Sequence, residues 1–107
     1  MFGLFKKLFD RPDEKALLEA IKNGAILVDV RNAEEVLTGN IKGSINIPLD
    51  KIRNGIGKLK KNRTIIVFCA SGIRSSRAKS ILEENGFQQV INGGSWRRVA
   101  SIIENNR

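Results

Sequence analysis

The chain has no histidine and no tyrosine, one cysteine, one tryptophan and two prolines in 107 residues. Without an imidazole there is no general base for a serine hydrolase or a papain-like thiol enzyme. The lone cysteine, Cys69, cannot form an internal disulfide, so nothing points to an oxidising compartment, and no resolving thiol is available for a disulfide relay. No stretch approaches the roughly 20 apolar residues of a membrane span. No motif indicates a metal, nucleotide or flavin, so no cofactor is expected. The run Met1–Phe9 carries Lys6 and Lys7 inside its apolar stretch and lacks a small-residue cleavage site, unlike a secretory signal. The expected location is the cytoplasm.

Basic residues are in excess: 19 Lys and Arg against 11 Asp and Glu give a net charge of +8. Such a balance attracts anions of any kind, from a small oxyanion to a nucleic acid or an anionic membrane. Nucleic-acid binding would call for a basic stripe interleaved with aromatic residues. Here the cations are spread along the chain and three of the five phenylalanines lie in the first nine residues, so a nucleic-acid partner is disfavoured. Phe2, Leu4, Phe5, Leu8 and Phe9 with Lys6 and Lys7 could form a short amphipathic helix on an anionic membrane. Nine residues are few for an independent helix, which favours a segment packed on the domain or loose in solution.

Periodicity divides the remainder into alternating helices and strands. Leu17, Leu18 and Ile21 recur at helical spacing between Asp13 and Asn23, and Gly24 supplies a stop. Ala25–Val30 and Thr64–Phe68 are short, continuously apolar and β-branched, as suits strands covered on both faces. Asn32–Thr38 could form a helical turn, and Ile45-Asn46-Ile47 a brief strand ended by Pro48. Leu49, Ile52, Ile56 and Leu59 mark a helical stripe weakened by Gly55 and Gly57. A helix is expected over Ser75–Glu84, and a strand over Gln88–Ile91, broken by Gly93-Gly94. Trp96, Val99, Ala100 and Ile103 give a last helical face. The alternation points to an α/β domain with a mainly parallel sheet. The expected organisation is an N-terminal apolar and basic segment, 1–10, followed by one domain, 11–107.

Cys69 sits where a parallel sheet places ligands, beyond the carboxyl end of a strand. It opens the turn Ala70-Ser71-Gly72-Ile73-Arg74-Ser75 before a helix. Unpaired amides and the helix dipole at such a turn lower a thiol's pKa below about 8.5. The position therefore reads as a nucleophile rather than a small buried hydrophobe. Gly72 permits a tight loop. Ser71 and Ser75 could aim hydroxyls at the sulfur, or Ser75 or Ser76 could merely cap the helix. Arg74 offers a guanidinium suited to an oxyanion, the alternative being a salt bridge that braces the loop. For Asp29, Arg31 and Glu35 the expected role is structural, and Lys58–Lys61 reads as a solvated surface.

Three separated motifs together resemble the single-domain rhodanese-like sulfurtransferases. They are Leu27-Val28-Asp29-Val30-Arg31 with Glu35, the stretch Gly39–Pro48, and Cys69-Ala70-Ser71-Gly72-Ile73-Arg74-Ser75; Asn92-Gly93-Gly94-Ser95-Trp96 is similar to a further turn of that family. Asn40 and Ser44 depart from the family's usual histidine and alanine. The resemblance implies an α/β three-layer fold, with a mainly parallel central sheet of 4–5 strands flanked by helices, and a sulfurtransferase that takes a sulfane sulfur from a donor such as thiosulfate as a persulfide on Cys69, then passes it to cyanide or a thiol. Ala70, Ser71, Gly72, Ile73, Arg74 and Ser75 would bind the substrate, largely through successive backbone amides. The implied partners are a small anionic sulfur donor and a thiol or protein acceptor. Cysteine phosphatases share the architecture but enclose five residues between cysteine and arginine, where Ala70–Ile73 are four. A persulfide carrier or regulatory binding module with negligible turnover remains an alternative.

Overall fold

The computed structural model describes residues 13–107; the expectations for Met1–Phe9, and for a boundary near residue 10, lie outside them. Helix α1 (Glu14–Lys22) starts where the Asp13 carboxylate accepts the Ala16 amide at 2.8 Å. That bond satisfies one of the donors a helix start leaves without an intrahelical partner. Then come β1 (Ile26–Asp29), α2 (Ala33–Leu37) and β2 (Ile45–Asn46). Three short helical pieces follow, Leu49–Lys51, α3 (Ile52–Gly55) and Ile56–Lys58. The chain closes with β3 (Ile65–Cys69), α4 (Ile73–Glu84), β4 (Val90–Ser95) and α5 (Trp96–Asn105). No described helix is long and apolar enough to cross a membrane.

The four strands form one all-parallel sheet in the order β2-β1-β3-β4. Central β3 is buried along its whole length, which explains its unbroken apolar sequence. Alternate side chains of a strand point to opposite faces. Ile65, Val67 and Cys69 accordingly join Ala78, Ile81 and Leu82 of α4, with Ile52, Leu59 and Phe87, in one apolar layer. Ile66 and Phe68 join Leu17 of α1 and Val99 and Ile102 of α5 in the other. This is the three-layer α/β arrangement expected from the sequence. It places the Cys69 side chain on the α4 side, at the carboxyl edge of the sheet.

Three elements differ from the sequence reading. Gly93-Gly94 does not end the last strand, which runs on to Ser95. Val67 pairs with Asn92 and Phe68 with Gly94, so Gly93 is an extra residue taken up in a bulge. A Cβ on Gly93 would stand 2.9 Å from Val99 Cγ2 and 3.0 Å from Ile66 Cγ2, so close packing of sheet on helix requires glycine there. The stripe from Leu49 to Leu59 is not one helix but the three short pieces, as expected for a run containing two glycines. Helix α4 starts at Ile73, two residues early, because the second half of the turn after Cys69, from Ile73 to Ser75, already belongs to the helix.

Candidate active site

Cys69 is the last residue of β3 and is fully buried, yet its sulfur is surrounded by donors. The amide of Gly72 donates to Sγ at 3.0 Å and that of Ser75 at 3.3 Å. Gly72 is the N-cap residue of α4, and having no side chain it cannot cap the helix itself. The sulfur does so instead, by accepting the Ser75 amide three positions into the helix. Burial opposes ionisation of the thiol. The Ser75 hydroxyl and the amides of Ser75, Gly72 and Ser71 outweigh it and hold the Cys69 pKa below its ordinary value. The positive end of α4 works in the same direction.

Gly72 is required for two reasons. Its φ of 102° lies in the left-handed region, and a Cβ there would come within 3.3 Å of Gly94 Cα. The loop after β3 thus rests on the bulge of β4. Asn92, just before that bulge, ties the two together: its Oδ1 accepts the Gly94 amide at 3.0 Å and its Nδ2 donates to the Gly72 carbonyl at 3.3 Å. Ser75 Oγ lies 2.7 Å from Asn92 Oδ1, 3.1 Å from the Gly72 carbonyl and 3.4 Å from Cys69 Sγ. Neither Ser75 nor Ser76 caps the helix. Sequence reasoning kept Asn92 only as part of a turn; a polar residue at the end of the strand paired with β3 was the available signal.

Of the six loop residues expected to bind substrate, Ser71, Gly72 and Ser75 bring amides to the sulfur. The Ala70 and Ser71 side chains are exposed, and that of Ile73 is 79% exposed. Arg74, expected to bind the donor, is paired within the chain. Both limbs of its guanidinium are turned to Glu35 on α2, at 2.6 and 2.9 Å, so the fork is occupied by a carboxylate of this chain rather than held open for an oxyanion. The arginine braces the loop, the alternative raised above.

Arg74 and the Asn32 amide, which together hold the ionised carboxylate, lower the Glu35 pKa from 4.5 to about 2. A depressed carboxyl contributes stability above its unfolded pKa and loses it as the folded pKa is crossed. The brace is therefore complete above about pH 4.5 and is lost as the pH falls to about 2. Side-chain carboxyl NMR should find the Glu35 midpoint near 2 in the native chain, moving towards 4.5 in Arg74→Ala. An unshifted native midpoint would mean the pair does not form in solution.

Beneath the brace, the buried Asp29 and Arg31 pair with each other. Arg31 Nη2 donates to Asp29 Oδ2 at 2.7 Å and Nε to Oδ1 at 3.0 Å. Arg31 also donates to the carbonyls of Gly39 and Glu35 and lies 4.5 Å over the Trp96 ring. One guanidinium thus fastens the end of β1, helix α2, the following loop and the start of α5. Asn46 donates to the carbonyls of Asp29 and Arg31 at 2.8 and 2.9 Å, joining β2 to the same point. The two unusual residues are accounted for locally: Asn40 donates to the Val36 carbonyl at the end of α2, and Ser44 to the Ile41 carbonyl.

Residues 13–98 match the family described as the Rhodanese-like domain. Over 75 residues, 68% of this chain and 72% of the relative, the sequence is 37% identical to thiosulfate sulfurtransferase PspE of Escherichia coli K12. It is 30% identical over 115 residues to the tRNA uridine(34) hydroxylase of Cronobacter sakazakii; the match takes in 95% of this chain but only 32% of that protein. Among solved structures, a rhodanese with anions from E. coli superposes with a TM-score of 0.68 at 35% identity, over 72% of this chain and 93% of that one.

Proposed function

The chain belongs to the rhodanese-like domain family, and we propose that it is a sulfurtransferase in which Cys69 carries the moving sulfur. The observation that carries this reading is the convergence of the Gly72, Ser75 and Ser71 amides on a thiol whose pKa is lowered. In the first step the Cys69 thiolate attacks the outer sulfur of thiosulfate. A new S–S bond forms, and the old sulfur–sulfur bond breaks with its electron pair leaving on sulfite. In the second step a nucleophile, cyanide in an assay or a thiol, attacks the outer persulfide sulfur and Cys69 leaves as thiolate. Neither attack requires a proton to be removed from the cysteine, so a chain without histidine can perform both. The amide cup serves each step because thiolate and persulfide are both anions at the start of a helix.

Electrospray mass spectrometry tests the reading. Incubation with thiosulfate should add one sulfur, about 32 Da, and later addition of cyanide should remove it as thiocyanate. Absence of the adduct would sink the proposal. The full burial of Cys69 favours a second reading, a carrier that takes sulfur only from a protein donor that opens the loop. The signature of a carrier is no adduct with thiosulfate but one with a persulfidated protein donor.

The brace gives a further prediction. Arg74→Ala and Glu35→Ala should reduce thiocyanate formation by similar factors, with the double variant no worse than either alone. If the guanidinium instead bound the donor, Arg74→Ala alone would raise the KM for thiosulfate and Glu35→Ala would not.

A further inference from the structure

The Ser75 hydroxyl has one proton and three acceptors within reach. Its position follows from groups that have no choice. The Gly94 amide can only donate and the Gly72 carbonyl can only accept, and they face opposite ends of the Asn92 amide at 3.0 and 3.3 Å. Asn92 is therefore oriented with Oδ1 towards Gly94 and, at 2.7 Å, towards Ser75 Oγ. Two oxygens at that separation, one of them acceptor-only, need a hydrogen between them, and only Ser75 can supply it. Ser75 then turns a lone pair, not its proton, to Cys69 Sγ at 3.4 Å, an arrangement that suits a thiol S–H donating to oxygen.

An ionised sulfur reverses that preference, because it has no proton to give and gains from a hydroxyl that donates. We propose that Asn92 is a positioning residue: it holds the Ser75 proton away from Cys69 while the sulfur is a neutral thiol, and yields it when the sulfur becomes a thiolate or persulfide. The inference rests on the reading of Cys69 as the sulfur that ionises. It gives Asn92 a part in setting how readily that happens, in competition with the sulfur for a single hydrogen. The charged groups on the surrounding elements are Arg74 and, a turn further, Arg77 on α4, Glu35 on α2 in its pair with Arg74, the internally paired Asp29 and Arg31 at the end of β1, and Arg98 on α5, whose Nη1 donates to the Gly93 carbonyl at 3.4 Å. Strand β4 brings only neutral residues, Asn92 and Ser95 among them, so an Asn92 variant leaves this charge pattern intact.

The test is a double-mutant cycle read on the sulfur itself. With one cysteine and no tyrosine in the chain, thiolate absorbance near 240 nm reports Cys69 ionisation against a quiet background, and iodoacetamide labelling gives a rate in which ionisation and access to the buried sulfur both enter. Asn92→Ala should lower the ionisation midpoint and, below the wild-type midpoint, speed labelling about two- to tenfold, the range of one net hydrogen bond. Ser75→Ala should raise the midpoint. In the Ser75→Ala background Asn92→Ala should change nothing, because there is no proton left to release. Asn92→Val, suited to a strand, serves the same cycle should the alanine variant fold poorly. Slower labelling of Asn92→Ala, or an equal acceleration with and without the Ser75 hydroxyl, would overturn the proposal and leave Asn92 as a loop tie alone. The titration needs no turnover, so it can fail while the thiosulfate adduct forms, and can succeed where the adduct does not.

Discussion

Exchange of Cys69 for serine is expected to remove the thiosulfate adduct entirely and to bring thiocyanate formation down to background. Serine has the same branching though it is smaller and more polar, and its oxygen can accept the Gly72 and Ser75 amides that now point at sulfur. What it removes is ionisation. An alcohol at this position stays protonated at neutral pH, and with no histidine in the chain there is no imidazole to activate it. Cys69→Ala supplies the contrast. It should be equally inactive but less stable than Cys69→Ser, because two amides at the start of α4 lose their acceptor inside the protein; each such orphan costs roughly 1–3 kcal/mol. Urea denaturation of the two variants beside wild type measures the difference. Residual adduct in Cys69→Ser would place the transferred sulfur elsewhere and end the proposal.

How far the sequence carried depends on which physical effect governs each residue. The strands were legible because burial on both faces demands continuous apolar runs, and Ile65–Phe68 and Ile26–Val28 are such runs. The placement of Cys69 at the end of β3 followed from the same pattern. The bulge at Gly93 was not legible. A glycine pair can end a strand or mark a bulge in it, and here the deciding fact is the distance to Val99 and Ile66, a tertiary property. The partner of Arg74 was not legible for a related reason: an arginine in an anion-binding loop suits an external carboxylate or oxyanion, and equally suits one from the same chain. Glu35 lies 39 positions earlier, and only the fold brings the two together. Asn92 was overlooked as a site residue because its role comes from a parallel pairing in which β4 places its side chain beside the helix start.

The second large effect concerns the buried pair below the site. Asp29→Ala is expected to destabilise the fold by roughly 3–5 kcal/mol, the range for removing one partner of a buried ion pair. Arg31 is left only 3% exposed at its side chain with no carboxylate in contact, the Glu35 carboxylate acting on it only through space while paired with Arg74, and an ion in that position gains little from water. It keeps the carbonyls of Gly39 and Glu35 and the Trp96 face, but none of these carries a negative charge. Urea unfolding of the variant gives the value. Asp29→Ala combined with Arg31→Met should recover part of the loss, because the orphaned cation is gone while the packing of its stem is kept. Recovery should be incomplete, since methionine cannot donate to Gly39 and Glu35. The pair also links stability to the site. Arg31 holds the backbone of Glu35, Glu35 holds Arg74, and Arg74 lies two residues after the glycine whose amide faces the sulfur. Asp29→Ala should therefore move the Cys69 ionisation midpoint back towards that of a free thiol under conditions where the variant is still folded. A loss below about 1 kcal/mol with an unmoved midpoint would show that water reaches Arg31 and that the pair acts locally.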